Sequence, residues 1–471
     1  MRDGLTVHRF GAFELDPANG RLFRDGIRVR VSGPQFAILT CLVVHHDGPV
    51  KKDTLATEGW GGAAVADNSV DQAIHRLRKV LGEGSGDVRY IETVPHCGYR
   101  LAVPVESASR NVQADSLEAQ LDPFVTSVQG RLRLDTLDRA EIQRARDALE
   151  DVLRRAPNHA RAHALLGMAC GLAFEASLHD AHPDTATLAR GVVHAQRGCE
   201  LAPASGEAWS TLAFVLGLSG HNVRAVGAAT KALELDPHNW RHALRLAKVA
   251  WGQERVEAAR LVHVHCPGLA LAHWLLATVL MARGTFDHAI GELQPGCAAQ
   301  DAQQKGSPFP AVGLHLLHGL VCAAQDQLEA AAGELTRELP SAEGNQIYAR
   351  ECGANTWYAL GAVRRRQRRE AEAAHAFVRA LAIAPVHVPA MAALRGEVPQ
   401  MAAGMERALG ESIVLARGNR HGDAARVYLE ALTAQPPGAA GWILPVEPTL
   451  NPQARPEIWA EALALVRLRA T

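Results

Sequence analysis

No stretch of this 471-residue chain is long and apolar enough to cross a membrane. The most hydrophobic short run, near Leu275 to Met281, falls well short of the roughly 18 uninterrupted apolar residues a span requires. The N-terminus has no basic flank leading into an apolar core, so no secretory leader is read. Cys41, Cys97, Cys170, Cys199, Cys266, Cys297, Cys322 and Cys352 form no CxxC pair and no short-chain disulfide framework, which fits reduced thiols in a cytosol. Net charge is also lacking: 49 basic residues face 50 acidic ones, so bulk electrostatics neither demand nor exclude a nucleic-acid partner. No Walker loop, GxSxG, HExxH or GxGxxG run stands in a strand-turn-helix context, and no enzyme is expected. What is present, 48% apolar and 21% charged residues, is too long for one core and too apolar for disorder. The expectation is a cytoplasmic protein of two or more folded units, with no membrane partner.

The character of the chain changes near Pro104. Before it, Leu5 to Leu15, Gly20 to Asp25 and Ile27 to Val31 alternate between turn signals and predict three strands. Ser32 and Pro34 then open a first helix carrying Phe36, Leu39, Leu42 and Val43, ended near Gly48. A short second helix fits Lys52 to Glu58. Asn68 or Ser69 caps a third helix whose apolar residues are Val70, Ile74, Leu77 and Leu81. Arg89 to Val103 reads as a hairpin around Pro95 to Gly98. Residues 105–120 are polar and read as a linker. From 121 to 440 strand signals vanish, Ala and Leu dominate, and Pro recurs after helical segments, with Pro203 and Pro237 one 34-residue tetratricopeptide unit apart. Residues 441–471 lack repeat spacing and are expected to cap the solenoid's open end.

On a helical wheel the third helix buries Val70, Ile74, Leu77 and Leu81 along one stripe and turns Gln72, His75, Arg76 and Lys79 outward, with Arg78 on the flank within reach of a phosphate. Arg pairs with guanine and Gln with adenine in a major groove. A solvated amphipathic helix explains the same charges equally well, so the helix alone leaves both readings open.

Context separates them. FGAFELDPANGRLFRDG, SGPQFAIL, DNSVDQAIHRLRKVLG and YIETVPHCGYRL, in that order, make residues 1–104 resemble the OmpR/PhoB winged helix-turn-helix DNA-binding family. The resemblance implies that the third helix enters the major groove of duplex DNA. It also implies that a wing with His96, Tyr99 and Arg100 touches an adjacent minor groove or phosphates, and that the loop from Gly59 to Asp67 can touch RNA polymerase. His96 and Cys97 stand where family wings commonly carry a basic or small residue, which puts wing affinity in question. Residues 1–104 hold 13 Lys and Arg against 12 Asp and Glu, so nonspecific attraction is modest and a homodimer on paired half-sites would compensate. Met1 stands only a few residues before the first strand, so no receiver domain is expected ahead of the module, and regulation is left to the repeats.

Trp357, Leu360, Gly361, Ala373, Phe377, Ala380 and Pro385 match the tetratricopeptide pattern, and Trp209, Leu212, Ala213, Leu216, Ala225, Ala229, Ala232 and Pro237 form a second copy. Weaker copies start at His163 and His273, and others near His242, His315 and Ala408. The region resembles the tetratricopeptide family, which implies a concave groove lined by set positions of each repeat. Here these are Asn355, Tyr358, Ala362, Arg365 and Arg366, with Arg161, Arg241, Lys248, Trp251 and Trp274 on the same surface. Basic and aromatic residues together suit a protein, peptide or other anionic ligand. The arginine run from Arg364 to Arg369 equally serves a helix C-terminus, where cations complement the dipole.

HVHC at His263 to Cys266, and His315 with His318, suggest ligation. A metal needs three or four convergent ligands, and no spacing supplies them, so neither metal nor cofactor is expected. The fold class expected is an α+β winged helix-turn-helix followed by an all-α solenoid. Its function would be that of a one-component transcriptional regulator whose repeats sense an effector. The competing reading is an interaction scaffold whose winged domain binds protein instead of DNA.

Overall fold

The computed structural model describes residues 6–17, 20–61, 68–82, 88–95, 97–109, 114–178, 180, 182–304, 306–400 and 402–471. The chain divides into two compact units, residues 1–125 with 265–268 and residues 126–264 with 269–471.

In the first unit β1 (Thr6–Phe10), β2 (Phe13–Asp16), β3 (Arg21–Arg24) and β4 (Ile27–Val29) form an antiparallel meander. The alternating run from Leu5 to Leu15 is therefore two strands, not one: it breaks at Gly11, whose φ of +58° suits glycine. Ser32 opens α1 (Gly33–Val44), its backbone N–H donating to the Gln35 side chain at 3.2 Å. α2 (Lys52–Trp60) and α3 (Ser69–Val80) follow, and then the hairpin of β5 (Ile91–Val94) and β6 (Gly98–Leu101). Residues expected as linker instead supply β7 (Val105–Ser109), which pairs antiparallel with β1, Thr6 opposite Ser109 and Phe10 opposite Val105. They also supply the first turns of α4 (Ala114–Asp135). A short polar strand gains its partner from the far end of the domain, which local pattern does not show. Phe10 and Phe13 stack on each other and Tyr90 meets both edge-on, and Leu15, Leu22, Ile38, Leu39, Leu42, Leu55, Ile74 and Leu77 are likewise buried.

In the second unit the described residues form helices and no strand. After α4 come α5 (Arg139–Arg155), α6 (Ala160–Ser177), α7 (Thr185–Leu201), α8 (Gly206–Leu218), α9 (Asn222–Leu235), α10 (Trp240–Val249), α11 (Gln253–His265), α12 (Ala270–Arg283) and α13 (Phe286–Asp301). The series continues with α14 (Leu314–Ala324), α15 (Leu328–Glu338), α16 (Ala349–Arg366), α17 (Glu370–Ile383), α18 (Val388–Arg395), α19 (Gly404–Arg417), α20 (His421–Ala434) and α21 (Pro456–Arg469). The tightest helix pairs are α6 with α7, α8 with α9, α12 with α13, α14 with α15, α16 with α17 and α19 with α20. Small residues make these hairpins close: a Cβ on Gly361 would lie 2.6 Å from the Phe377 ring, and one on Gly167 would lie 3.0 Å from the backbone of α7.

Two inserted loops fold back to the start of the solenoid. Phe309 donates its N–H to the Asp135 carbonyl at 2.7 Å, and Ile347 donates its own to the Leu137 carbonyl at 2.9 Å. The C-terminal segment packs on the last repeat through α21, where Trp459 meets Tyr428 of α20 edge-on, and also reaches earlier repeats. Trp442 packs edge-on against Trp274 with ring centroids 6.3 Å apart, Val446 joins the apolar cluster of α14 and α16, and α21 packs on α12 and α20. The faces assigned to the groove carry aromatic and polar groups that this apolar, proline-rich segment can cover, which a cap at the end would leave open.

Candidate nucleic-acid interface and repeat groove

α3 divides by burial as its wheel requires. Val70, Ile74, Leu77 and Leu81 are at most 3% exposed, whereas Gln72, His75, Arg76 and Lys79 face outward. Among the described residues no ion pair or hydrogen bond engages these four side chains, so their donors are available to a partner.

Arg78 is placed differently. Its guanidinium donates to the Ile91 carbonyl at 3.0 Å and to Thr93 Oγ1 at 2.9 Å, and lies over the Tyr99 ring. It ties α3 to the hairpin rather than reaching out for phosphate. Tyr99 is 5% exposed and donates its hydroxyl to Asp71 at 2.6 Å, while Lys52 pairs with the same carboxylate at 2.7 Å. Bonds from Lys52 and Tyr99 hold the Asp71 carboxyl below its usual range, and burial pushes the Tyr99 hydroxyl up to about 12. Tyr99 is thus the centre of an α2–α3–hairpin clasp. Sequence reasoning missed Lys52 and Asp71 because the clasp joins residues far apart in the chain.

Gly98 belongs to the same clasp. With φ +120° it lets the hairpin approach so closely that a Cβ would lie 2.0 Å from the Val50 carbonyl oxygen, and Val50 and Tyr99 exchange backbone bonds at 2.7 and 3.0 Å. Arg100 is half exposed and pairs with Glu92 across the hairpin at 2.6 Å, so a phosphate must compete with Glu92 for it. His96, and residues 62–67 of the loop expected to touch polymerase, lie outside the described residues.

In the repeats, the expected groove positions are partnered from within the chain. Arg161 pairs with Glu207 at 3.2 Å. Arg241 pairs with Asp135 at 3.1 Å and stacks on Trp240 and Phe309. Lys248 donates to the Tyr348 hydroxyl at 3.2 Å, and burial holds its ammonium below the usual range. Trp251 carries Arg255 over its ring. Asn355 meets His387 at 3.0 Å, and Tyr358 bonds Glu447 and Thr449. Arg365 donates to the Ala393 carbonyl at 3.0 Å, and Arg366 to the Ala323 carbonyl and Asp326 at 2.8 Å each. These contacts do not form an open acidic-ligand site around Arg365 and Arg366. The positions are assigned by repeat frame, and frame cannot show that inserted loops and a distant tail will occupy them.

The fold and the α3 face define a class: a transcription-regulator-type winged helix-turn-helix DNA-binding domain joined to tetratricopeptide-type helical repeats. Residues 26–101 match the family described as "Transcriptional regulatory protein, C terminal", and residues 134–170 match "Tetratricopeptide repeat". The chain is 36% identical over 87 residues to the transcriptional regulator HilA of Salmonella typhimurium, covering 18% of this chain and 16% of that protein. It is 34% identical over 101 residues to the transcriptional activator CadC of Escherichia coli, covering 21% and 20%. The matches therefore span about a fifth or less of these relatives' length. The DNA-binding domain of E. coli CadC aligns with 22% of this chain and 97% of its own at 30% identity and TM-score 0.21. A human IFIT1 dimer with m7Gppp-AAAA aligns with 63% and 69% at 14% identity and TM-score 0.43. Among the described residues no helix is long and apolar enough to cross a membrane.

Proposed function

We propose that this chain is a sequence-specific DNA-binding transcriptional regulator in which α3 reads base edges through Gln72, His75, Arg76 and Lys79. The observation that carries this reading is the contrast on α3: one face fully committed to the core, the other bearing donors with no partner among the described residues. Arg100 contributes a phosphate contact after exchanging Glu92. Tyr99 and Arg78 set the angle between α3 and the hairpin.

The repeat unit is the place for an effector or a protein partner. Because Glu447, Tyr348 and Phe309 already occupy groove positions, an incoming peptide or anionic ligand must compete with these segments. Selection of bound sequences by the full chain from a random duplex pool tests the DNA reading. At about 100 mM salt, where phosphate attraction is screened, a consensus should emerge. A pool that stays random would leave the winged domain as a protein-binding module.

A further inference from the structure

We propose that His263, His273 and Glu292 form a binding site for a divalent transition metal of the zinc class at the junction of two successive repeats. The three side chains come from α11, α12 and α13, and their candidate ligand atoms all lie within 4.8 Å of one another. His273 Nδ1 and Glu292 Oε2 are 2.9 Å apart, and the His263 and His273 rings approach to 4.3 Å between centroids. His263 Nε2 is buried and has no hydrogen-bond partner among the described residues. A buried ring nitrogen without a partner is costly, and a metal ion bridging it to the His273–Glu292 pair removes that cost. Sequence spacing concealed this set because its members sit on three different helices, 10 and 19 residues apart.

A metal seated between His273 Nδ1 and Glu292 Oε2 displaces the proton those two atoms share in the metal-free protein. Burial and the neighbouring His273 hold His263 below the usual histidine range, so its ring is neutral near pH 7. The hydrogen bond from His273 is the largest effect holding Glu292 below the usual carboxylate range, so it is ionised. Four-coordinate zinc places its nitrogen and oxygen ligands at about 2.0–2.2 Å, hence about 3.3 Å from each other. Rotation of His263 towards the pair closes the remaining gap, and a solvent molecule takes the fourth position. Arg260 also acts on Glu292. One carboxylate beside a cation is a poor site for calcium or magnesium, which need several oxygens, whereas two imidazoles suit zinc, copper or nickel.

The next junction shows what the same arrangement looks like when it needs no metal. Cys297 stands 34 residues after His263, and His315 and Glu334 each stand 42 after their counterparts, the extra length lying in the loop between α13 and α14. These three also converge within 4.8 Å. There, however, both nitrogens of His315 are taken, Nδ1 by Glu334 at 2.6 Å and Nε2 by Asp301 at 3.0 Å. Burial, with the carboxylates of Glu334, Glu338 and Asp301, pushes the Cys297 thiol up to about 12, so it stays protonated. The second junction is satisfied by its own hydrogen bonds, and the first is not.

The test uses chelator-stripped full-length protein with Cys97→Ser in every variant, to remove an exposed competing thiol. Zn(II) is titrated by calorimetry at pH 7.5, and Co(II) replaces it to report coordination through visible absorption. One equivalent should bind, with a four-coordinate nitrogen and oxygen cobalt spectrum. His263→Gln and Glu292→Gln should each weaken binding by at least the about 10–100-fold that loss of outer-sphere support costs. Cys297→Ala and His315→Ala should leave it unchanged, and circular dichroism of all four variants separates lost binding from lost fold. The proposal is overturned if no saturable binding appears below about 100 µM, a Kd already worth only about 5.5 kcal/mol. It is equally overturned if folded His263→Gln and Glu292→Gln proteins bind like the parent, or if binding follows Cys297 instead.

Discussion

The Tyr358 hydroxyl donates a hydrogen bond to Glu447, a carboxyl that lies 89 residues further along the chain and is 2% exposed. Thr449 Oγ1 lies 2.7 Å from the same hydroxyl, and the Leu450 N–H donates to the other carboxyl oxygen. Tyr358 holds a groove-lining position of its repeat, so the groove carries an acidic group belonging to the chain itself. The chemistry expected of an incoming carboxylate is met internally, by a hydrogen bond from Tyr358, with Arg366 acting on Glu447 through its charge.

Removing that hydroxyl isolates the contact. Tyr358→Phe keeps the ring against Phe377 and His387 but leaves one oxygen of Glu447 short of a donor. The expected loss is about 1–3 kcal/mol of stability. Hydrogen exchange should speed up at residues 442–450 before it does so in α16. Unchanged protection there would mean that the tail is held by its apolar contacts alone.

On the winged domain the two arginines of α3 should separate. Arg76→Ala removes an outward donor with no partner among the described residues and should cost about 1–3 kcal/mol of binding, with preference relaxed at one base position. Arg78→Ala instead cuts the tie to Ile91 and Thr93 and should lower thermal stability and loosen the hairpin. A variant at Arg78 that keeps its melting temperature yet binds every duplex more weakly would restore Arg78 to the phosphate contact.

Packing within the best repeat gives a third test. Gly361→Ala puts a methyl group 2.6 Å from Phe377 Cε1, on a ring that is itself fully buried and has no room to yield. Overpacking of this kind costs about 1–3 kcal/mol. Because each repeat buries its apolar face only against neighbours, unfolding should remain cooperative across several helices. Phe377→Leu combined with Gly361→Ala should recover part of the loss, and failure to do so would place the strain elsewhere.

The parts of the molecule legible in its sequence are those with local periodicity. Val70, Ile74, Leu77 and Leu81 declare the buried side of α3, and Trp357, Gly361 and Phe377 declare a repeat hairpin, because each set repeats at the spacing of one helix or one helix pair. The illegible parts are pairings across long separations. The VESAS sequence of β7 lacks a clear hydrophobic alternation, and its partner β1 lies at the other end of the domain's sequence. Tyr99 looks like an exposed wing aromatic until Asp71 is brought beneath it. The repeat frame gives the basic and aromatic character of the groove positions, but Phe309, Tyr348 and Glu447, which engage three of them, come from insertions and a tail outside that frame.

Burial makes Glu447 titrate within the physiological range, its carboxyl pushed up to about 7 although Tyr358 and the N–H groups of Leu450 and Thr449 pull it back. In the unfolded chain the same group ionises near its ordinary value, so the native state holds the proton more tightly. Its contribution is therefore fully present below about pH 4.5 and is lost as pH rises through about 7, on the order of 3 kcal/mol in all. His242 works in the opposite direction. Burial lowers it to about 4, so it favours the native state above its ordinary value and loses that contribution as pH falls towards 4. Glu447→Gln separates the two. Its amide can donate to Tyr358, which then donates to Thr449, while the amide oxygen keeps the Leu450 N–H. Stability by urea unfolding should be similar for parent and variant near pH 5, with the variant gaining steadily up to pH 8. The difference between the two curves cancels His242. Parallel curves from pH 5 to 8 would show that Glu447 ionises without cost, and that the tail stays on the groove regardless of its charge.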